Sequence, residues 1–285
     1  MKKTHILLGF AVISLVGIFF LGRFAYRNLR GIGPAISKPP ANIVDLIEGA
    51  STTTVSGSPT DFPLNMPEGF SISVFAKDLS GARVLAQDSR GNIWVSRTSD
   101  GAVTMLDVED GKVVKQEDIF TELNNPHGLA FDPQNPDVLY ISEEDRISHV
   151  MVYRSDATAP ASDIEQVKLS LRLYSSIVPA PIADLPSGGK SLRHHFTRTI
   201  HFGPDGRLYV SLGSSCNVCH EAEDKEYLAK VISMKKDGSD IQVFAKGLRN
   251  TVFFAWHPVT KELWGVDMGR DGLGDDLPPD EVNIL

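Results

Sequence analysis

Four stretches of this chain repeat one pattern, and that repeat restricts the fold more than any other feature. They are ARVLAQDSRGNIWVS (82–96), HGLAFDPQNPDVLYIS (127–142), RTIHFGPDGRLYVSL (198–212) and TVFFAWHPVTKELWGVD (251–267). Each joins an apolar run to a second run with an aromatic near its centre: Trp94, Tyr140, Tyr209 or Trp264. Between the runs stand Asp, Pro, Gly or Asn, the residues that reverse a chain within a few positions. A hairpin recurring at uneven intervals predicts an all-β protein made of propeller blades with loop insertions, not a solenoid of equal repeats. The 155–190 stretch, with APAS and PAPIADLPSGGK, reads as one such insertion. At about 40–45 residues per blade, the roughly 220 residues from Pro67 onward make about five blades. A propeller closes by joining its last blade to its first. The chain stops at Leu285 inside a strand-like run, so the propeller of residues 67–285 is expected to be C-terminally incomplete.

Upstream of the repeats the composition changes. Lys2 and Lys3 precede the uncharged run from Ile6 to Gly22 (ILLGFAVISLVGIFFLG), near the lower length limit of about 17 residues for a spanning helix. The sequence after it, GRFAYRNLR, lacks the small-residue pattern of a signal-peptide cleavage site. Residues 1–26 are therefore expected to be an uncleaved single-pass anchor in the cytoplasmic membrane. Lys2 and Lys3 lie on one side and Arg23, Arg27 and Arg30 on the other, so charge does not set the orientation. Residues 27–66, rich in Pro, Gly, Ser and Thr, read as a tether, with IVDLIEGA as a short helix inside it. The net charge of −8 excludes a general nucleic-acid-binding surface. It is compatible with cation binding or with a sugar substrate.

The candidate chemistry lies between residues 195 and 285. His195 stands in HHFTRTIHFGPDG, Arg249 and Asn250 in GLRN, and Gly269, Arg270 and Asp280 in DMGRDGLGDDLPPDEVN. Imidazole suits general-base work because its ordinary pKa of about 6.5 lies near working pH. A guanidinium offers a fork of donors to paired oxygens. A turn rich in Gly and Asp supplies the oxygen donors that calcium prefers. Taken singly, each has an ordinary reading: a satisfied histidine, a loop arginine paired with an acid, a solvated acidic turn.

Together these motifs, spread over 67–285, resemble the glucose/sorbosone dehydrogenase family, and its sorbosone and pyranose dehydrogenase branch in particular. The resemblance implies a six-bladed β-propeller that uses pyrroloquinoline quinone (PQQ) and calcium to oxidise a sugar or sugar aldehyde. Electrons would pass on to a quinone or cytochrome, and the propeller would face the periplasm or cell exterior. It implies His195 as the base, Arg249 and Asn250 at the quinone, and the backbone carbonyls of Gly269 and Arg270 around calcium. Asp280 would hold the loop or a second ion. Met268 departs from the polar residue expected before Gly269. The family's basic contacts to the PQQ carboxylates would lie beyond Leu285.

CNVCH at 216–220 matches the attachment string of c-type haem. Its sulfurs could equally form a disulfide, remain structural thiols, or join His220 in a metal site; the structural reading is preferred. Two other functions compete with the dehydrogenase: a calcium-dependent lactone hydrolase on a related propeller, and a non-catalytic surface propeller. The Arg-Asn pair beside a base histidine favours the dehydrogenase.

Overall fold

Each predicted turn is closed by a side chain that accepts from the backbone just beyond it. Asp88 Oδ1 accepts the amides of Arg90 and Asn92, both at 2.9 Å. Asp132 Oδ1 accepts that of Gln134 at 2.8 Å, and Asp205 Oδ1 that of Arg207 at 3.1 Å. In the fourth hairpin His257 Nδ1 takes this part, accepting from Val259 and Thr260. Gly206 follows Asp205 at φ 78°, a left-handed conformation that costs glycine nothing. Two of the recurring aromatics bond back to their own turn, Trp94 Nε1 to Asp88 Oδ2 and the Tyr209 hydroxyl to Asp205 Oδ2, each at 3.0 Å.

The computed structural model describes residues 14–23, 52–53, 66–67, 69–153, 164, 167–168, 180–185, 195–218, 227–273 and 277–285. A two-residue pair, β1 (Thr52–Thr53) with β2 (Met66–Pro67), precedes the repeats. The first sheet holds β3 (Ala82–Gln87), β4 (Ile93–Arg97), β5 (Ala102–Glu109) and β6 (Lys112–Phe120). The second holds β7 (Leu129–Asp132), β8 (Asn135–Ser142), β9 (Arg146–Met151) and β10 (Ala180–Asp184). The third holds β11 (Ile200–Phe202), β12 (Leu208–Leu212), β13 (Lys230–Met234) and β14 (Gln242–Lys246). The fourth holds β15 (Thr251–Trp256), β16 (Leu263–Asp267) and β17 (Glu281–Ile284). Every sheet is an antiparallel meander in chain order.

Successive sheets pack face to face. Trp94, Val103, Met105 and Phe120 of the first sheet meet Leu139, Ile141 and Val150 of the second. From the opposite face of the same β8 strand, Tyr140 packs with Ile200, Leu208, Val210 and Ile232 of the third. Tyr209 and Val231 leave the other face of the third sheet to meet Phe254 and Leu263 of the fourth. This period-2 partition of one strand between two cores is what a strand buried on both faces produces.

The architecture is all-β and propeller-like, as the repeats predict. The described residues form four such sheets, where about five blades were expected. Residues 70–78 add no strand, and most of the connection between β9 and β10 (152–179) lies outside the described residues.

Of the expected anchor, residues 14–23 are helical, with Leu15, Ile18, Phe19, Phe20 and Leu21 exposed. Among the described residues no helix is long and apolar enough to cross a membrane. Residues 6–13, most of the 27–66 tether with its IVDLIEGA segment, Cys219 and His220 lie outside the described residues.

Candidate active site

Antiparallel pairing brings the sequence motifs to one end of two sheets. His195 precedes β11, and Ser214 to Asn217 follow its partner β12. Arg249 and Asn250 precede β15, and Met268 to Asp271 follow its partner β16, where Thr251 is paired with Asp267. The start of one strand and the end of its partner lie side by side, so segments distant in sequence converge. Gly213 allows the closest approach. A Cβ there would stand 2.4 Å from His195 Cβ and 2.5 Å from Asn250 Oδ1, so the base candidate and the asparagine flank one glycine.

The surroundings of His195 fix its tautomer. Nδ1 lies 3.0 Å from both the carbonyl and the hydroxyl oxygen of Ser214. A carbonyl only accepts, and the Ser214 hydroxyl gives its own proton to the Cys216 carbonyl at 2.8 Å. Nδ1 therefore carries the proton of the neutral ring, which leaves Nε2 as the basic nitrogen. Ser214, 2% exposed, is itself tied across the sheets by its amide to the Arg249 carbonyl at 2.8 Å.

Asp267 sets the Arg-Asn pair. Its Oδ2 accepts the Arg249 amide at 2.9 Å and its Oδ1 the Asn250 amide at 2.5 Å. The Arg249 guanidinium donates from Nε to the Asn217 carbonyl (3.0 Å), from Nη2 to Asn217 Oδ1 (2.6 Å) and from Nη1 to the Met268 carbonyl (2.8 Å). Burial lowers the Arg249 pKa from its ordinary value. Asp271, Asp267 and Asp280 work against that shift, and the positive charge of Arg270 adds to it.

Met268, Gly269 and Arg270 form one wall of a cleft of about 310 Å³, with Ser214, Asn217, Leu248, Arg249, Pro278 and Glu281 around the rest. The Gly269 amide donates to Asp280 Oδ1 at 2.8 Å, so Asp280 holds the loop. A Cβ on Gly269 would come within 3.1 Å of the Pro278 and Pro279 carbonyl oxygens. Arg270 lines the cleft, and its Nη2 is enclosed without a hydrogen-bond partner among the described residues. Cys216 is disulfide-bonded, and the chain has one other cysteine, Cys219.

The structure thus gathers His195, Arg249, Asn250, Gly269, Arg270 and Asp280 at one end of the third and fourth sheets. Sequence reasoning passed over Ser214, Asn217 and Asp267. Asp267 was within reach, being an acid at the end of a predicted strand and adjoining MGRDG. Nothing local marks Ser214 or Asn217, whose partners within the site, His195, Arg249 and Asp271, lie 19 to 54 positions away.

A family model, TrAA12-like, matches residues 64–283. The chain belongs to the TrAA12-like family. Its fold is similar to that of a calcium structure of the Trichoderma reesei carbohydrate-active enzyme of family AA12. That match has 19% identity and a TM-score of 0.57, and covers 74% of this chain and 53% of the other. The holo form of the pyranose dehydrogenase PQQ domain from Coprinopsis cinerea matches with 18% identity and a TM-score of 0.58, over 77% of this chain and 54% of that one. PQQ-bound aldose sugar dehydrogenase from Streptomyces coelicolor matches with 19% identity and a TM-score of 0.53, over 74% and 61%. An uncharacterised protein of Borreliella burgdorferi is 28% identical over 240 residues, 82% of this chain and 57% of its own length. The chain therefore spans a little over half the length of these relatives. This membership agrees with the resemblance to PQQ-dependent glucose/sorbosone dehydrogenase-like propellers.

Proposed function

We propose that this TrAA12-like chain serves the oxidation of a sugar or sugar aldehyde with PQQ and calcium. The observation that carries the reading is the seating of His195: Ser214 holds Nδ1 as a donor, which assigns base work to Nε2, and the ring lies across Gly213 from Asn250 and beside the arginine-lined cleft. PQQ and pyranose or aldose oxidation are known for the structural relatives named above, and they support extending the reading to this chain.

The residues present suit an anionic, quinone-bearing group. The enclosed Nη2 of Arg270 is an unmatched donor, and leaving such a group unmatched costs about 1–3 kcal/mol. Arg249 adds a second cation, and a cleft of about 310 Å³ lies within the ordinary range for small-ligand sites. When bound, PQQ supplies an ortho-quinone that accepts a hydride. His195 Nε2 takes the proton of the substrate hydroxyl, so one proton and one hydride leave the substrate. Arg249, Asn250 and Arg270 donate toward the anionic ligand, and the 268–271 turn orients it. For calcium the chain offers the backbone oxygens of Gly269 and Arg270, with Asp280 fixing the turn that carries them. The Met268 carbonyl is already committed to Arg249.

A lactone hydrolase of the kind considered above needs several acidic side chains converging on its ion. Among the described residues no group of three or more His, Cys, Asp or Glu side chains is placed to do this. The histidine–arginine arrangement thus favours the dehydrogenase. Membrane attachment through residues 6–22, with the propeller outside the cytoplasm and a quinone or cytochrome as electron acceptor, completes the proposal. The exposed apolar side chains of residues 14–23 support the attachment.

The test is dye-linked oxidation of a panel of aldoses by the protein supplied with PQQ and calcium. Turnover that requires both additions and is lost in His195→Ala supports the reading. Turnover undiminished in His195→Ala removes the base from it, and PQQ-independent activity removes the cofactor.

A further inference from the structure

The CNVCH loop has no part in the reaction proposed above, yet one of its residues ties the two halves of the cleft together. Asn217 uses every polar atom of its side chain. Oδ1 accepts from Arg249 Nη2 at 2.6 Å and from the Asp271 amide at 2.9 Å. Nδ2 donates to the Asp271 carbonyl at 3.0 Å, and the Asn217 main-chain oxygen accepts from Arg249 Nε at 3.0 Å. Two acceptor bonds on the amide oxygen and one donor bond from the amide nitrogen fit the capacity of asparagine. Neither aspartate nor serine reproduces the set, because aspartate has no donor and serine cannot span both strands of the turn.

We propose that Asn217 is a positioning residue of the cleft, one that locks the Arg249 guanidinium and the 268–271 turn in a single geometry before a ligand enters. Two features of the chain support this. The preceding residue, Cys216, is disulfide-bonded and accepts the Ser214 hydroxyl on its carbonyl, so the loop that carries Asn217 is stiffened by bonds that do not involve the turn it grips. In addition, Arg249 is joined to the same turn directly, by Nη1 to the Met268 carbonyl at 2.8 Å and by Nη2 lying 3.7 Å from Asp271 Oδ2, so the bonds of Asn217 to Arg249 and Asp271 close a network that holds guanidinium and turn in one arrangement. Preorganisation of this kind is a gain in ligand affinity without a new ligand contact.

The functional consequence rests on the PQQ reading; the clamp itself does not. Amide hydrogen exchange on the full chain without added ligand tests the clamp, and quenching of intrinsic fluorescence on titration with PQQ tests the consequence. In Asn217→Ala, exchange at Asp271 should accelerate by up to roughly tenfold, the scale of one lost hydrogen bond. The change should stay within residues 268–271, and the thermal midpoint should hold. PQQ affinity should fall by a similar factor. Asn217→Asp keeps acceptors for Arg249 and for the Asp271 amide, so it should recover most of that affinity. The pH profile of turnover should be unchanged in both variants, because His195 is set through Ser214. Unchanged exchange at Asp271 in Asn217→Ala overturns the proposal. So does a general loss of protection with a lowered thermal midpoint in both variants, which would make Asn217 an ordinary fold contact. If PQQ affinity is the same in the wild type and in Asn217→Ala while the exchange effect stays local, the consequence for PQQ falls and the clamp stands.

Discussion

Two junctions between sheets are built on the same plan and end in opposite states. Where the second sheet meets the third, the Gly128 amide donates to the Arg198 carbonyl at 3.0 Å. Where the third meets the fourth, the Ser214 amide donates to the Arg249 carbonyl at 2.8 Å. Each junction has a glycine at the point of closest approach, Gly128 in one and Gly213 in the other. At the first junction the polar groups are sealed. Arg198 is fully buried and gives Nη1 to the His195 and Thr197 carbonyls. His127 is fully buried against Phe253, and neither of its ring nitrogens makes a well-formed hydrogen bond. At the second junction the histidine is partly exposed and well partnered, and its neighbours open onto a cleft. The plan common to the two junctions shows that the fold supplies the polar ends of strands, and that local packing decides whether they become core or site.

The largest effect should come from the open junction. His195→Ala should reduce turnover by roughly 10²–10⁴, the range for loss of a general base, with a much smaller change in PQQ affinity. Steady-state kinetics beside a binding titration separates the two. An equal loss in His127→Ala would erase the distinction between the junctions.

The sealed histidine should instead govern acid stability. Desolvation depresses the His127 pKa from 6.5 to about 4, with part of the shift offset by the nearby backbone of Arg198. Between those values the unfolded chain binds the proton and the folded chain does not. Stability is therefore intact above pH 6.5 and is lost as pH falls toward 4. The full loss is about 3 kcal/mol, from 1.36 kcal/mol per pKa unit. Urea midpoints measured from pH 7 to pH 4 should show this slope, and His127→Gln should flatten it.

The two glycines should separate along the same line. A Cβ on Gly128 would stand 2.6 Å from the Arg198 carbonyl oxygen and 2.8 Å from the Ile200 amide nitrogen, both backbone atoms. Gly128→Ala should therefore cost about 1–3 kcal/mol of stability, as overpacking of a fixed core does. At Gly213 the obstacles are His195 Cβ at 2.4 Å, which moves only with its backbone, and Asn250 Oδ1 at 2.5 Å. Gly213→Ala should therefore lose turnover as well as stability, because it displaces His195, whereas Gly128→Ala should lose stability alone, a difference that thermal denaturation and kinetics on the same preparations would show.

Asp267→Asn should give the smallest change. One of the two amides it holds would lose its acceptor, at a cost of about 1 kcal/mol in the denaturant midpoint. Arg249 would loosen, so the Michaelis constant should rise more than turnover falls.

Much of this arrangement is legible in the sequence, and specific residues show where legibility ends. The Asp-Pro-Gly turns and the aromatic of each second strand announce the hairpins, because turn closure and strand alternation depend on neighbours a few positions apart. The GLRN and MGRDG segments mark strand ends for the same reason. The described residues form four sheets where about five blades were expected: residues 70–78 add no strand, and most of 152–179 lies outside the described residues. An average length per blade carries no information about which residues find a partner.

By itself, then, the sequence determined the all-β class, the hairpin repeat and the six residues offered as the site. Tertiary structure alone decided that Ser214 sets the tautomer of His195, that Asp267 brackets Arg249 and Asn250, and that Asn217 ties the cleft together. It also decided that His127 is sealed while His195 is partly exposed and bonded to Ser214, a residue of the cleft wall, although both histidines sit at the start of similar strands. The physical reason is range. Turn chemistry and alternation act over two to six residues, whereas the hydrogen bonds that bring the site residues together join positions 11 to 54 residues apart. Those partners become neighbours only after the sheets have packed.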